Sequence, residues 1–295
     1  MDFFGADFPS LKLDTLRYFE REIDKAYLEF SRSYGADIES VFDPLLYFLI
    51  WFERILLWAP WWAIIIVIGA LAFLASRRLF LTFCVIAAFC FIGYLGMWEN
   101  TMRTMAIISV STLFAISLGL PCGILMSRSE RFQGVMTPIL DVMQTMPIFV
   151  YLIPVVMLFG LGKVPGMIAV VVYAIPPVIR LTNLGIRLVD KELLEAADAF
   201  GVSRLKRLIG VEIPLALPNI MAGINQTIMM ALSMVVIASM IGVKGLGQPV
   251  LQAVTNQYFA LGLLNGAAVV TLAIVFDRIT QNYGRRIQAA RGINS

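Results

Sequence analysis

RLVDKELLEAADAFGVSRLKRLIGVEIPLALP, residues 187–218, is a long polar stretch set between two strongly apolar ones. Leu188 through Phe200 have helix-forming composition, and Gly201 is a natural stop because glycine tolerates the left-handed backbone that ends helices. Ser203 is placed to cap a second short helix carrying Arg204, Lys206 and Arg207. Pro214 and Pro218 are expected to limit that helix before the chain turns apolar again. The stretch reads as a helix–turn–helix. Ala196, Ala197 and Ala199 make its first helix slim, which suits insertion into a groove on another protein.

The rest of the chain identifies the solvent. Of 295 residues, 59% are hydrophobic and 15% charged, with a mean hydropathy of +0.83. A soluble domain carries about 25% charged residues, so this much apolar surface calls for lipid. The net charge of +3 is too small to suggest a nucleic-acid partner. With no histidine, imidazole–metal sites and histidine acid–base chemistry are excluded. Cys84, Cys90 and Cys122 lie in apolar stretches and read as small buried hydrophobes rather than disulfides or ligands. The opening MDFFGADFPS is acidic and lacks the basic and apolar regions of a cleaved signal peptide. No fixed-period repeat is visible.

A membrane span needs about 20 mostly apolar residues. Candidates are 59–75, 79–97, 102–126, 139–159, 165–186, 219–241 and 260–280. The chain is thus expected to be an all-α membrane protein of about seven transmembrane helices. Positive charge belongs in cytoplasmic loops. An external N-terminus places Arg77, Arg78, Arg128, Arg131, the stretch 180–207 and Arg278, Arg285, Arg286 and Arg291 inside. It leaves only Arg103, Lys163 and Lys244 in short outer loops. Ahead of the spans, Leu16, Phe19, Ile23, Tyr27 and Phe30 give 11–34 an amphipathic helical pattern. Residues 44–58 are apolar but interrupted by Glu53 and Arg54. They read as an interfacial helix with Trp51, Trp58, Trp61 and Trp62 near the headgroups; the other reading is an extra span that puts the N-terminus inside. Four regions follow: an N-terminal tail with interfacial helix (1–58), peripheral helices (59–98), a core (99–281) and a basic cytoplasmic tail (282–295).

Glu195-Ala196-Ala197, then Gly201, then Ile213-Pro214-Leu215 and Pro218, resembles the "EAA" loop of permeases in binding-protein-dependent ABC importers. The resemblance implies that the loop forms a coupling helix on an ATPase subunit, with Glu195, Ala196, Ala197, Asp198, Gly201 and Arg204 at the contact. Residues 141–166, 173–186 and 219–242 are similar to the glycine betaine/proline betaine/choline importers, and the similarity extends over roughly 95–282. It implies a type I importer permease in the bacterial cytoplasmic membrane, paired with a second copy of itself. It further implies two ATPase subunits that hold the ATP and Mg, and an external substrate-binding protein. No cofactor is expected in this chain.

Two stretches are candidates for the translocation pathway. Asn225, Gln226, Met229, Met230, Ser233, Met234 and Ile237 share one stripe of a helix. Asn225, Gln226 and Ser233 are expected to line the route while Met230 and Met234 contribute to a gate; helix packing through side-chain hydrogen bonds is the competing reading. Around Pro147 and Pro154, Gln144, Met146, Phe149 and Tyr151 form the second candidate, whose rings either meet a trimethylammonium head or simply pack. Gly160-Leu161-Gly162-Lys163-Val164 lacks the first glycine and the Ser/Thr of a phosphate loop, so no nucleotide site is expected and the chain is not an enzyme. Only Asp141 and Asp277 are acids within the spans, both near cytoplasmic ends, which disfavours an ion-coupled secondary transporter. An ABC permease for an amino acid such as histidine is the nearer alternative.

Overall fold

A computed structural model describes residues 11–290; Arg291 and the opening MDFFGADFPS lie outside them. The described residues are helical, without a strand, and the chain divides into two units, Met1–Leu45 and Leu46–Ser295. From Leu13 onward the described part of the first unit belongs to helix α1 (Leu13–Trp58), where Leu16, Phe19, Ile23 and Phe30 are all exposed. Separate helices over 11–34 and 44–58 were the expectation. Instead α1 runs through Pro44, which removes one backbone donor while its neighbours keep helical geometry.

The second unit continues from Leu46 to α2 (Trp61–Ser76) and α3 (Leu79–Tyr94), then α4 (Trp98–Arg128), α5 (Glu130–Thr145), α6 (Ile148–Phe159) and α7 (Lys163–Arg187). After the loop helices α8 (Lys191–Ala199) and α9 (Arg204–Arg207) come α10 (Ile213–Ser233), α11 (Val235–Met240), α12 (Gly247–Asn256) and α13 (Phe259–Ala290). Among the described residues, four helices are long and apolar enough to cross a membrane, or six spans if each of two bent pairs counts as one. α7 lies at the centre, packed against α4 and α10. Its backbone is approached closely by glycines: a Cβ on Gly123 would lie 2.7 Å from the Ile179 carbonyl oxygen, and one on Gly223 would lie 3.1 Å from Val178 Cα. Small residues at such crossings let helices meet where lipid offers no hydrophobic drive.

Three expectations are corrected. The stretch 139–159 is not one helix, because α5 and α6 are bent by 94° at Met146–Pro147. Proline pushes the residue before it out of helical geometry, and Met146 is extended at φ −68°, ψ 130°. Pro214 and Pro218 do not end the second loop helix; α9 passes through a π turn at Leu208–Glu212 straight into α10. Pro214 sits in the first turn of α10, where a missing donor costs least. The cysteines are free, but Cys84 and Cys90 are exposed, because α3 buries only the face carrying Val85, Phe89 and Ile92.

Candidate functional site

The loop begins at Asp190, whose carboxylate accepts the Glu192 backbone N–H at 3.0 Å and caps α8. The helix ends in a Schellman arrangement. Gly201, at φ +70°, donates to the Asp198 carbonyl at 2.9 Å, and Val202 donates to the Ala197 carbonyl at 3.2 Å. Ser203 precedes α9 in extended geometry but makes no side-chain cap; only its carbonyl takes part, accepting from Arg207 N–H at 2.9 Å. No residue of α8 is buried. Glu195, Ala196, Asp198, Gly201 and Arg204 are exposed and Ala197 is half-buried. Apolar side chains beside them are open as well: Leu193, Leu205, Ile209 and Phe200, the last 89% exposed. A slim helix flanked by uncovered apolar groups is the chemistry of a surface that another protein covers.

What fastens this loop is a chain of charges. Glu212 is 3% exposed, and its two carboxylate oxygens meet Arg128 at 2.7 Å and Arg207 Nε at 3.0 Å. Arg207 also pairs with Asp198 of α8. Charge therefore links α8, α9 and the π turn to the last turn of α4. Arg187 adds a second tie, donating to the Met126 carbonyl and to Asn183 Oδ1, both at 3.1 Å. Behind the anchor, Glu212, Ala216 and Ile220 follow at four-residue spacing on one buried stripe of helix, and Ile186 closes the cluster from α7. On the other side Met126, Leu140 and Ile179 bring α5 onto α4 and α7, helped by the pair Arg180–Asp141.

Sequence reasoning overlooked Glu212 and Arg128. Glu212 had one available signal: it is a lone carboxylate entering an apolar run, and a buried acid must have a cation within reach. Which of the many arginines serves it required the fold.

The pathway candidates fall into different surroundings. Asn225 turns toward α13 and donates to Asp277 Oδ1 at 2.9 Å, an oxygen that also accepts from Gln281 at 2.6 Å. This is the interhelical hydrogen bond of the packing reading. Gln226 and Ser233 are exposed, Met229, Met230 and Ile237 half-buried, and Ser233 bonds the Met229 carbonyl at 3.0 Å. Met234 is wholly buried at the turn between α10 and α11, away from that open stripe. Asn225 and Gln226 also border a groove of about 460 Å³ with Pro218, Ala222, Gln281 and Arg285. At the α5–α6 bend Gln144 and Phe149 are exposed and Met146 half-buried, while Tyr151 points inward, its buried hydroxyl without a hydrogen-bond partner. The two rings thus diverge rather than form one cage.

On the opposite face, Glu53 is buried and pairs with Lys163 at 2.6 Å and Arg103 at 3.9 Å. It joins the last turns of α1 to the first turn of α7 and the second turn of α4. Leu246 N–H donates to Thr104 at 2.8 Å, holding the α11–α12 connection to the same region.

Residues 115–289, more than half of the chain, match the family of binding-protein-dependent transport system inner membrane components. The glycine betaine/proline betaine transport system permease protein ProW of Escherichia coli is 46% identical over 242 residues, which is 82% of this chain and 68% of that protein. Its namesake in Salmonella typhimurium is 50% identical over 194 residues, 66% of this chain and 55% of that protein. The fold is similar to a chain of the MetNI methionine ABC transporter in an inward-facing conformation, with a TM-score of 0.55 at 22% identity over 65% of this chain and 94% of that one. An all-helical core, an uncovered loop between apolar helices and this match together place the chain in the family of binding-protein-dependent transport system inner membrane components, the permeases of ABC transporters.

Proposed function

We propose that this chain is the membrane-spanning half-pathway of an importer for small quaternary-ammonium solutes such as glycine betaine, proline betaine or choline. ATP and Mg are held by two copies of a separate ATPase, and an external binding protein delivers the solute. The observation that carries the coupling role is α8: nine residues with none buried, fastened through Arg207 and Glu212 to the end of α4. Glu195, Ala196, Ala197, Asp198, Gly201 and Arg204 are assigned to the ATPase contact. The solute class rests on the betaine permeases named above and favours betaines over an amino acid such as histidine.

The N-terminus is assigned to the outside and the C-terminus to the cytoplasm. Arg77, Arg78, Arg128, Arg187 and Arg207 then share the inner side, and the cluster Glu53–Lys163–Arg103 lies outside. Two copies of the chain form the pathway, with exposed Gln226, Ser233, Gln144 and Phe149 available to face it together with Met229 and Met230. Asn225, Met146, Tyr151 and Met234 are assigned to shaping that route from behind.

The test is reconstitution of the full chain with its ATPase and binding protein in proteoliposomes. ATP-dependent uptake of glycine betaine or proline betaine is expected. Uptake of histidine with no betaine uptake overturns the solute class, and betaine uptake without the ATPase overturns the coupling assignment.

A further inference from the structure

Helices α2, α3, α4, α10 and α13 line an apolar groove of about 590 Å³ that no coupling or pathway residue uses. Ile68 and Leu71 of α2, Phe89 of α3, Met221 of α10 and Val275 of α13 form its walls. The Thr280 hydroxyl at the rim is already committed to the Phe276 carbonyl at 2.7 Å. Polarity enters at one end, where Tyr283 and Arg286 stand.

The dimensions select the occupant. Val275 and Arg286 are separated by about 16 Å of helix at 1.5 Å per residue, which matches the roughly 15 Å of one leaflet in a hydrocarbon core about 30 Å thick. The groove runs about the depth of one leaflet.

Charge selects the headgroup. Arg286 donates to the Leu74 carbonyl, which leaves most of its five N–H groups free to bind elsewhere. That contact sets Arg286 one helical turn from Arg77 and Arg78, and Arg285 precedes it; all four are exposed. Neither 70–84 nor 278–295 contains an acid. The apolar channel therefore ends at Arg286, beside guanidinium groups with no acid in either segment, of which Arg77 lies 5.9 Å over the Phe73 ring; arginines at such ends snorkel to headgroup depth.

We propose that this groove is a binding site for one anionic phospholipid, its acyl chain along Ile68, Leu71, Phe89 and Val275 and its phosphate on Arg286 and Arg77. The lipid stands between the α2–α3 hairpin and α10, the helix that leaves the coupling loop. It closes a seam that the protein leaves open.

Native mass spectrometry of the full chain, released from nanodiscs of equal dioleoyl-phosphatidylglycerol and dioleoyl-phosphatidylcholine, tests the site. One phosphatidylglycerol per chain is expected to remain, and phosphatidylcholine to leave. Arg286→Gln lowers retention about fivefold, the weight of one basic residue at an anionic surface, and Arg77→Gln does likewise. Leu71→Trp keeps every arginine but fills the groove, and abolishes retention. It stands as the check should Arg286→Gln loosen α13 from Leu74. Equal retention of the two lipids overturns the proposal, as does retention that survives Leu71→Trp.

Discussion

Replacing Glu212 with alanine leaves Arg128 and Arg207 facing each other with no carboxylate between them. Removing one partner of a buried pair costs about 3–5 kcal/mol, most of it from the charges left behind. Here Arg207 keeps Asp198, and the two arginines are 32% and 18% exposed and regain water by small rotations, which points to the lower limit. About 3 kcal/mol corresponds to a rise of about a hundredfold in the population of the detached loop, at tenfold for each 1.4 kcal/mol. The core between α4, α7 and α10 does not depend on Glu212, so the cost appears as local release rather than unfolding. Two readouts separate these. Hydrogen exchange of amides 204–212 should accelerate by about that factor while those of α7 stay protected. In proteoliposomes ATP hydrolysis should continue while solute moved per ATP falls. Glu212→Gln, which keeps its shape and can still accept from one arginine, should fall between. Unchanged exchange and unchanged coupling in the alanine variant refute the anchor.

Gly201→Val forces a β-branched residue to φ +70°, at a cost of at least about 1–2 kcal/mol. The Val202 amide should lose its exchange protection, and coupling should weaken without loss of expression. Gly123→Ala drives a methyl to 2.7 Å from the Ile179 carbonyl and should destabilise by about 1–3 kcal/mol, read as a lower melting temperature. Gly134→Ala, which meets open space in mid-helix, should raise that temperature or leave it unchanged. Met230→Ala should raise ATP consumption per solute moved if Met230 helps close the route; unchanged stoichiometry removes it from the gate.

Much of this architecture is written in local composition. Each apolar stretch became helix because lipid leaves the backbone no other hydrogen-bond partners. The end of α8 was legible down to Gly201, since a positive φ has a residue signature. The bend at Pro147 was not read, because hydropathy averages across a proline and sees 139–159 as continuous. The passage of α9 into α10 escaped for a related reason: proline in a first turn and proline as a breaker look alike in sequence. Glu212 and Arg128 stand 84 positions apart, and nothing local selects that arginine from its neighbours. Asn225 was legible as a polar residue on an apolar helix, but whether it met water or Asp277 depended on where α13 packed.

The close approach at Gly123 also bears on how the molecule moves. Where the backbones of α4 and α7 nearly touch, no layer of side chains remains to slide, so the two helices travel as one plate. Rearrangement during transport must then be absorbed at joints. Among the described residues, joints of this kind include the 94° elbow at Met146–Pro147 and the turn at Met234 between α10 and α11. On the proposed coupling role, a pull on α8 would reach the plate through Arg207, Glu212 and Arg128, and would have to be taken up at such joints.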